Sequence, residues 1–175
     1  MISLGDEFYV RKIERTDIPS RVRWINDPQI NATLTFDYPV SIASTEAWFS
    51  KTVLDSSKVN FTFLLGDSEP IPVGFGGLLK VDMKNRHAEL YVTIGEPGLH
   101  GRGLGKKAVD FICEYGFNTL GLNKIYLTTL SYNAAAIKLY EKCGFVLEGQ
   151  FSKHIYLRGK YQDIYYFAKF RGVES

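Results

Sequence analysis

Ile94–Ala108 reads I-G-E-P-G-L-H-G-R-G-L-G-K-K-A. An apolar run ends at Ile94, glycines follow at 95, 98, 101, 103 and 105, and a helical pattern starts directly after. Gly101, Gly103 and Gly105 remove three side chains from a loop that then opens a helix. Bare backbone N–H groups in such a loop converge on an anion, and the helix dipole adds about half a positive charge at that end. The stretch predicts a phosphate-binding loop between a strand and a helix.

Three phosphate-loop patterns compete for it. A Walker loop, G-x-x-x-x-G-K-[ST], finds its glycine spacing in Gly98 and Gly103, but Leu104 stands where lysine is needed. Gly103, Gly105 and Ala108 make the G-x-G-x-x-A of a dinucleotide fingerprint. That motif wants an acidic residue about 20 positions on to grip the ribose. Here the next strand-like run, Lys124–Leu130, ends in Ser131-Tyr132-Asn133 without a carboxylate, and the motif lies past mid-chain. The third pattern is a coenzyme A loop. His100-Gly101-Arg102-Gly103-Leu104-Gly105 resembles the [Q/R]-x-x-G-x-[G/A] loop of the GNAT superfamily of N-acetyltransferases, with His100 where the family has Gln or Arg. Asn133-Ala134-Ala135-Ala136-Ile137-Lys138-Leu139-Tyr140-Glu141-Lys142-Cys143-Gly144-Phe145 is similar to that family's N-x-x-A-x-x-L-Y-E-K-x-G-F segment. Two motifs in the right order and separation are far more specific than either alone.

The resemblance implies acetyl-CoA as co-substrate and direct attack on it by a primary amine. It implies that the backbone of Val92, Thr93 and Ile94 pairs with the pantetheine amides like an added strand. His100, Gly101, Arg102, Gly103, Leu104, Gly105 and Lys106 would face the pyrophosphate or the adenosine phosphates, and Asn133 the pantetheine arm. Tyr140 receives the role of the acid that meets the departing thiolate; a phenol near pKa 10, somewhat above a thiol, is compatible with it. Asn133 and Tyr140 are seven residues apart, two helical turns, so they share a face roughly 10 Å apart. A core tyrosine and an N-cap asparagine fit the same spacing. Glu89, on the strand face shared by Tyr91 and Thr93, is the candidate base, directly or through water; a surface or salt-bridged glutamate is the alternative. The three histidines show no metal-ligand spacing, so no metal is expected.

Three further stretches resemble the branch that holds the Rim-type ribosomal-protein, polyamine and nucleotide-amino-sugar acetyltransferases. They are Trp24-Ile25-Asn26-Asp27-Pro28, Trp48-Phe49, and Gly149-Gln150 through Gly159-Lys160-Tyr161-Gln162-Asp163. In this fold the acceptor pocket is lined by the loop between the first two helices and by the last hairpin. That makes Phe36 and Tyr38 candidate substrate contacts, joined by Glu89 and Tyr91 from the strand that leads to the cofactor. Asn31–Ser41 has a single acid, Asp37, while Phe151–Tyr161 carries Lys153, His154, Arg158 and Lys160. A spermidine site wants several carboxylates for a polycation. The charge balance therefore points to an acceptor with its own negative charge, such as an amino sugar or nucleotide-linked amino sugar. A polyamine acetyltransferase, a Rim-type protein N-terminal acetyltransferase and a CoA-binding domain without catalysis remain as alternatives.

Composition is that of an ordinary globular chain: 175 residues, 45% hydrophobic, 23% charged, net charge +2. This length suits one domain over residues 1–175. No electrostatic footprint for nucleic acid is present. No apolar run reaches a membrane span and no signal-peptide pattern opens the chain, which points to the cytoplasm. A homodimer is open. Cys113 and Cys143 are too far apart for a C-x-x-C pair and read as reduced, structural thiols. Hydrophobic periodicity gives β-α-α-β-β-β-α-β-α-β-β, an α+β fold with a mostly antiparallel sheet and one βαβ crossover at the phosphate loop. The same order is that of the GNAT fold.

Overall fold

The computed structural model describes residues 1–36 and 38–172. Eight strands form one sheet in the order β1-β2-β3-β4-β5-β6-β8-β7. They are β1 (Ile2–Ser3), β2 (Phe8–Lys12), β3 (Val59–Leu65), β4 (Ile71–Asp82), β5 (His87–Ile94), β6 (Lys124–Leu130), β7 (Val146–Leu157) and β8 (Lys160–Phe170). Every pairing is antiparallel except β5 with β6. Among the described residues, five α-helices flank the sheet: α1 (Ile18–Asn26), α2 (Pro28–Asn31), α3 (Ile42–Thr52), α4 (Leu104–Glu114) and α5 (Ala134–Lys142). The α+β class, the mostly antiparallel sheet and the single β5-α4-β6 crossover agree with the sequence. The short β1 and α2 were not foreseen, because two and four residues are too few to set a period.

Helix α4 carries one apolar face: Leu104, Ala108, Val109, Ile112 and Cys113 are buried. That stripe packs into the main core with Leu78, Ala88, Leu90 and Ile125. Phe111 and Tyr115, on the same helical period, are half-buried and meet Phe61 edge-on. On the opposite face of the sheet, Trp24, Ile25, Ile30 and Phe75 make a smaller cluster. Helix α3 does not follow hydrophobicity. Ala47 and Val53 face outward, and the buried positions are Thr45 and Thr52, with Trp48 half-buried. Their hydroxyls are satisfied within the fold: Thr45 donates to the Ser41 carbonyl and Thr52 accepts from Asn60. Burial therefore costs them little, and hydrophobicity is a poor guide to which face is inside. Strands β7 and β8 are long, Val146–Leu157 and Lys160–Phe170, so Phe151–Tyr161 lies in the last hairpin as expected.

The W-I-N-D-P stretch is a joint. Gly95 leaves room for the indole of Trp24; a Cβ there would lie 2.2 Å from the ring. Glu96 accepts from Trp24 Nε1 at 2.8 Å and from Arg23 at 2.6 Å. Asn26 donates to the Val40 carbonyl and accepts from its N–H, and Asp27 caps α2 through the Gln29 N–H. Together these bonds fix the start of the glycine-rich loop to α1 and fold the following segment across the sheet.

Asp17 anchors the other end of α1. It is 3% exposed and accepts from both terminal nitrogens of Arg11 at 2.7 Å, from Thr62 at 2.7 Å and from the Glu14 N–H at 2.8 Å. Burial would raise its pKa, but those donors outweigh burial and hold it below the ordinary carboxylate value. A depressed folded-state pKa gives stability that is present above the unfolded value, about 3.9, and lost as pH falls through the folded one. Asp17→Ala is expected to cost about 3 kcal/mol at neutral pH. In urea denaturation the gap to wild type should narrow below about pH 4; a gap constant with pH would assign the loss to shape rather than charge.

Candidate active site

Strands β5 and β6 pair only from His87 to Glu89 against Lys124 to Tyr126. Beyond Glu89 they part: β5 stays with β4 up to Ile94, while β6 stays with β8 up to Leu130. The wedge exposes one backbone edge of Leu90–Ile94 to a cleft of about 790 Å³. At its mouth the glycine-rich loop turns into α4. Gly101 and Gly103 have φ of +80° and +81°, and a side chain at either would meet nothing within 4 Å. Gly103 is the N-cap of α4 and supplies no side-chain cap, so the first amides of the helix are open to an anion. This bare, amide-rich rim fits a phosphate-bearing cofactor, and the unpaired edge of β5 fits its amides.

One cleft collects most of the sequence-predicted site: Phe36, Glu89, Tyr91, Val92, Thr93, Ile94, His100, Gly101, Gly103, Leu104, Gly105, Lys106, Asn133 and Tyr140 line it. Two do not. Arg102 is exposed and does not line the cleft, and neither does Tyr38, which is 49% exposed. The single acid counted in that loop, Asp37, lies outside the described residues. His100 Nε2 lies 2.9 Å from the Ile94 carbonyl, tying the loop to the strand end. Asn133 is the N-cap of α5, accepting from the Ala136 N–H, while it also borders the cleft. Lys106 pairs with Asp110 one turn along, and Lys107 reaches Asp6.

Tyr140 sits at the inner end, 7% exposed, with its ring near Phe145 and Phe167. Burial, with a smaller contribution from Cys143, pushes its phenol up to about 12, above the ordinary value assumed from sequence. Glu89 holds Lys80 at 2.7 Å, and Thr128 Oγ1 lies 3.4 Å away. Its carboxylate is the one acidic side chain lining the cleft among the described residues. The four basic residues counted on the last hairpin do not line it. Arg158 instead grips the acceptor-side loop through Asn31 Oδ1 at 2.8 Å and the Asn31 backbone carbonyl. The cations that do border the cleft are Arg21, Lys106, Lys138 and Lys142. Arg21, Lys138, Lys142 and Thr128 escaped the sequence, since nothing local distinguishes an inward from an outward lysine, and arginine on a helix face reads as solvated.

Residues 7–146 match the acetyltransferase (GNAT) domain family. The chain belongs to the GNAT family. It is 28% identical over 165 residues, 92% of this chain and 91% of the relative, to spermidine N(1)-acetyltransferase of Vibrio cholerae. It is 32% identical over 97 residues, 53% of this chain and 60% of the relative, to L-amino acid N-acetyltransferase AaaT of Escherichia coli. Among solved structures, the Vibrio cholerae spermidine N-acetyltransferase in complex with CoA and spermine superposes with a TM-score of 0.86 at 28% identity, covering 95% of this chain and 96% of that one. The GNAT chain is thus an acetyl-CoA-dependent N-acetyltransferase that acts on an amine. No helix of the described residues is long and apolar enough to cross a membrane.

Proposed function

We propose that this GNAT chain acetylates the primary amine of a small molecule, using Tyr140 and Glu89 for the two proton tasks. The observation that carries this is a single cleft holding the open edge of β5, the uncapped start of α4, Tyr140 and Glu89. Acetyl-CoA supplies the activated acyl group. The edge of Val92–Ile94 and the amides of Gly103, Leu104 and Gly105 bind and align it, with Lys106, Lys138 and Lys142 offering charge to its phosphates. Glu89 receives the proton of the incoming ammonium, directly or through one water. Tyr140 presents its O–H to the sulfur as charge gathers there.

For the acceptor, kinship supports a polyamine, because the relatives from Vibrio cholerae and Escherichia coli that span 92% and 88% of the chain are spermidine N(1)-acetyltransferases. That favours the polyamine alternative over an amino sugar. A second acceptor class, an amine that also bears a negative charge, is favoured by one feature of the cleft, a buried arginine. The test is release of free CoA thiol from acetyl-CoA with spermidine, glucosamine, a UDP-linked amino sugar, L-amino acids and short peptides, alongside calorimetric binding of acetyl-CoA. Turnover with one small amine supports the proposal; peptide turnover alone would replace it with a protein acetyltransferase, and failure to bind acetyl-CoA would sink it.

A further inference from the structure

On the acceptor side of the cleft, Arg21 projects from α1 and is only 6% exposed. Its guanidinium lies between two rings, 4.2 Å from Trp48 and 4.0 Å from Phe75. Tyr91, whose hydroxyl donates to Asn60, is its polar neighbour. Among the described residues no carboxylate pairs with Arg21, and Nη1 has no hydrogen-bond partner at all. A buried cation without a counter-ion is costly. Stacking on aromatic faces and a hydrogen bond to Tyr91 offset part of that cost, yet Nη1 is left without a partner. Burial pulls the pKa of Arg21 below its ordinary value, but a guanidinium remains charged at any physiological pH.

We infer that Arg21 is a specificity-determining residue that binds an oxyanion, carboxylate or phosphate, carried by the acceptor amine. The inference rests on the acetyl-transfer function above and names the acceptor class for the same cleft. Guanidinium presents a planar fork that matches either oxyanion, and the rings of Trp48 and Phe75 hold that fork fixed. Tyr91 and Glu89 are two residues apart on one strand face, about 7 Å along β5. An anion at Arg21 thus lies several bonds from an amine delivered to Glu89. The same cation repels a polycation, and Glu89 already holds Lys80. In this respect the cleft departs from what kinship with spermidine acetyltransferases suggests.

Paired acceptors test it: glucosamine with glucosamine 6-phosphate, and pentylamine with 5-aminopentanoate, plus spermidine, on wild type, Arg21→Met, Arg21→Lys and Asp37→Asn. For wild type the anionic member of at least one pair should have the higher kcat/KM, and the pair that responds separates phosphate from carboxylate. Arg21→Met should raise KM for that member by about 30-fold and leave its neutral partner unchanged, with Arg21→Lys intermediate. Because the unpaired cation is held at a cost, Arg21→Met should also match or exceed wild type in thermal midpoint; a purely structural arginine would show a fall. Equal losses for neutral and charged acceptors, preference for spermidine indifferent to Arg21, or the same loss on Asp37→Asn would overturn the inference. Calorimetry with 5-aminopentanoate and glucosamine 6-phosphate in the presence of CoA separates the two claims. Arg21-dependent binding without turnover would uphold the oxyanion site and reject acetyl transfer, whereas no such binding and no such turnover would reject the site.

Discussion

Tyr140→Phe should lower kcat by about 10²-fold, with acetyl-CoA affinity close to wild type. The substitution removes one hydroxyl and keeps the ring that packs near Phe145 and Phe167, so the fold should be undisturbed. The effect belongs in kcat because the hydroxyl faces charge that exists only as the carbon–sulfur bond breaks. At about 12, the phenol stands roughly 3 to 4 pKa units above a thiol near 8.5. Complete proton transfer to the sulfur is therefore uphill by roughly 5 kcal/mol. Tyr140 acts best as a hydrogen-bond donor that stays protonated, not as an acid that ends the reaction ionised. Its contribution should then be flat with pH up to about 10. A variant with unchanged kcat would make Tyr140 a core residue that happens to border the cleft.

The glycine-rich loop and the N-x-x-A-x-x-L-Y stretch were legible because their chemistry is local. Glycine at 101 and 103 is required where φ is near +80°, and the residues at 133 and 140 share a helix face by period alone. Helix α4 and strand β6 were equally plain, since one apolar stripe or one apolar run fixes which side is buried. What escaped depends on partners distant in sequence. Arg21 is buried because Trp48 and Phe75, 27 and 54 residues away, close over it. Thr45 and Thr52 are buried because their hydroxyls find partners, which no hydropathy pattern records. Counting charges along the last hairpin misjudged the acceptor side for the same reason. Arg158 spends its charge on the Asn31 loop, and Lys153, His154 and Lys160 do not line the cleft. On the acceptor side the cation that borders the cleft comes instead from α1, as Arg21.

Glu89→Gln should lower kcat/KM by about 10²-fold at pH 7, and the deficit should shrink as pH rises. The pH dependence follows from the acceptor. A primary amine with a pKa near 10 is almost wholly ammonium at pH 7, so a base within the cleft gains most there. As the pH approaches about 10 the free amine arrives already deprotonated, and the base has less to contribute. The neighbouring Lys80 makes a second, opposing comparison possible. Its side chain is 71% exposed and its bond to Glu89 is 2.7 Å, a surface pair worth at most about 1 kcal/mol of stability. Removing it by Lys80→Met should leave the fold intact and free the carboxylate for the incoming ammonium, so activity near pH 7 should hold or rise. If Glu89 merely anchors Lys80, the two substitutions break the same contact and must cause the same pH-independent loss. Opposite signs for Glu89→Gln and Lys80→Met, with only the first converging on wild type at alkaline pH, would assign the proton to Glu89.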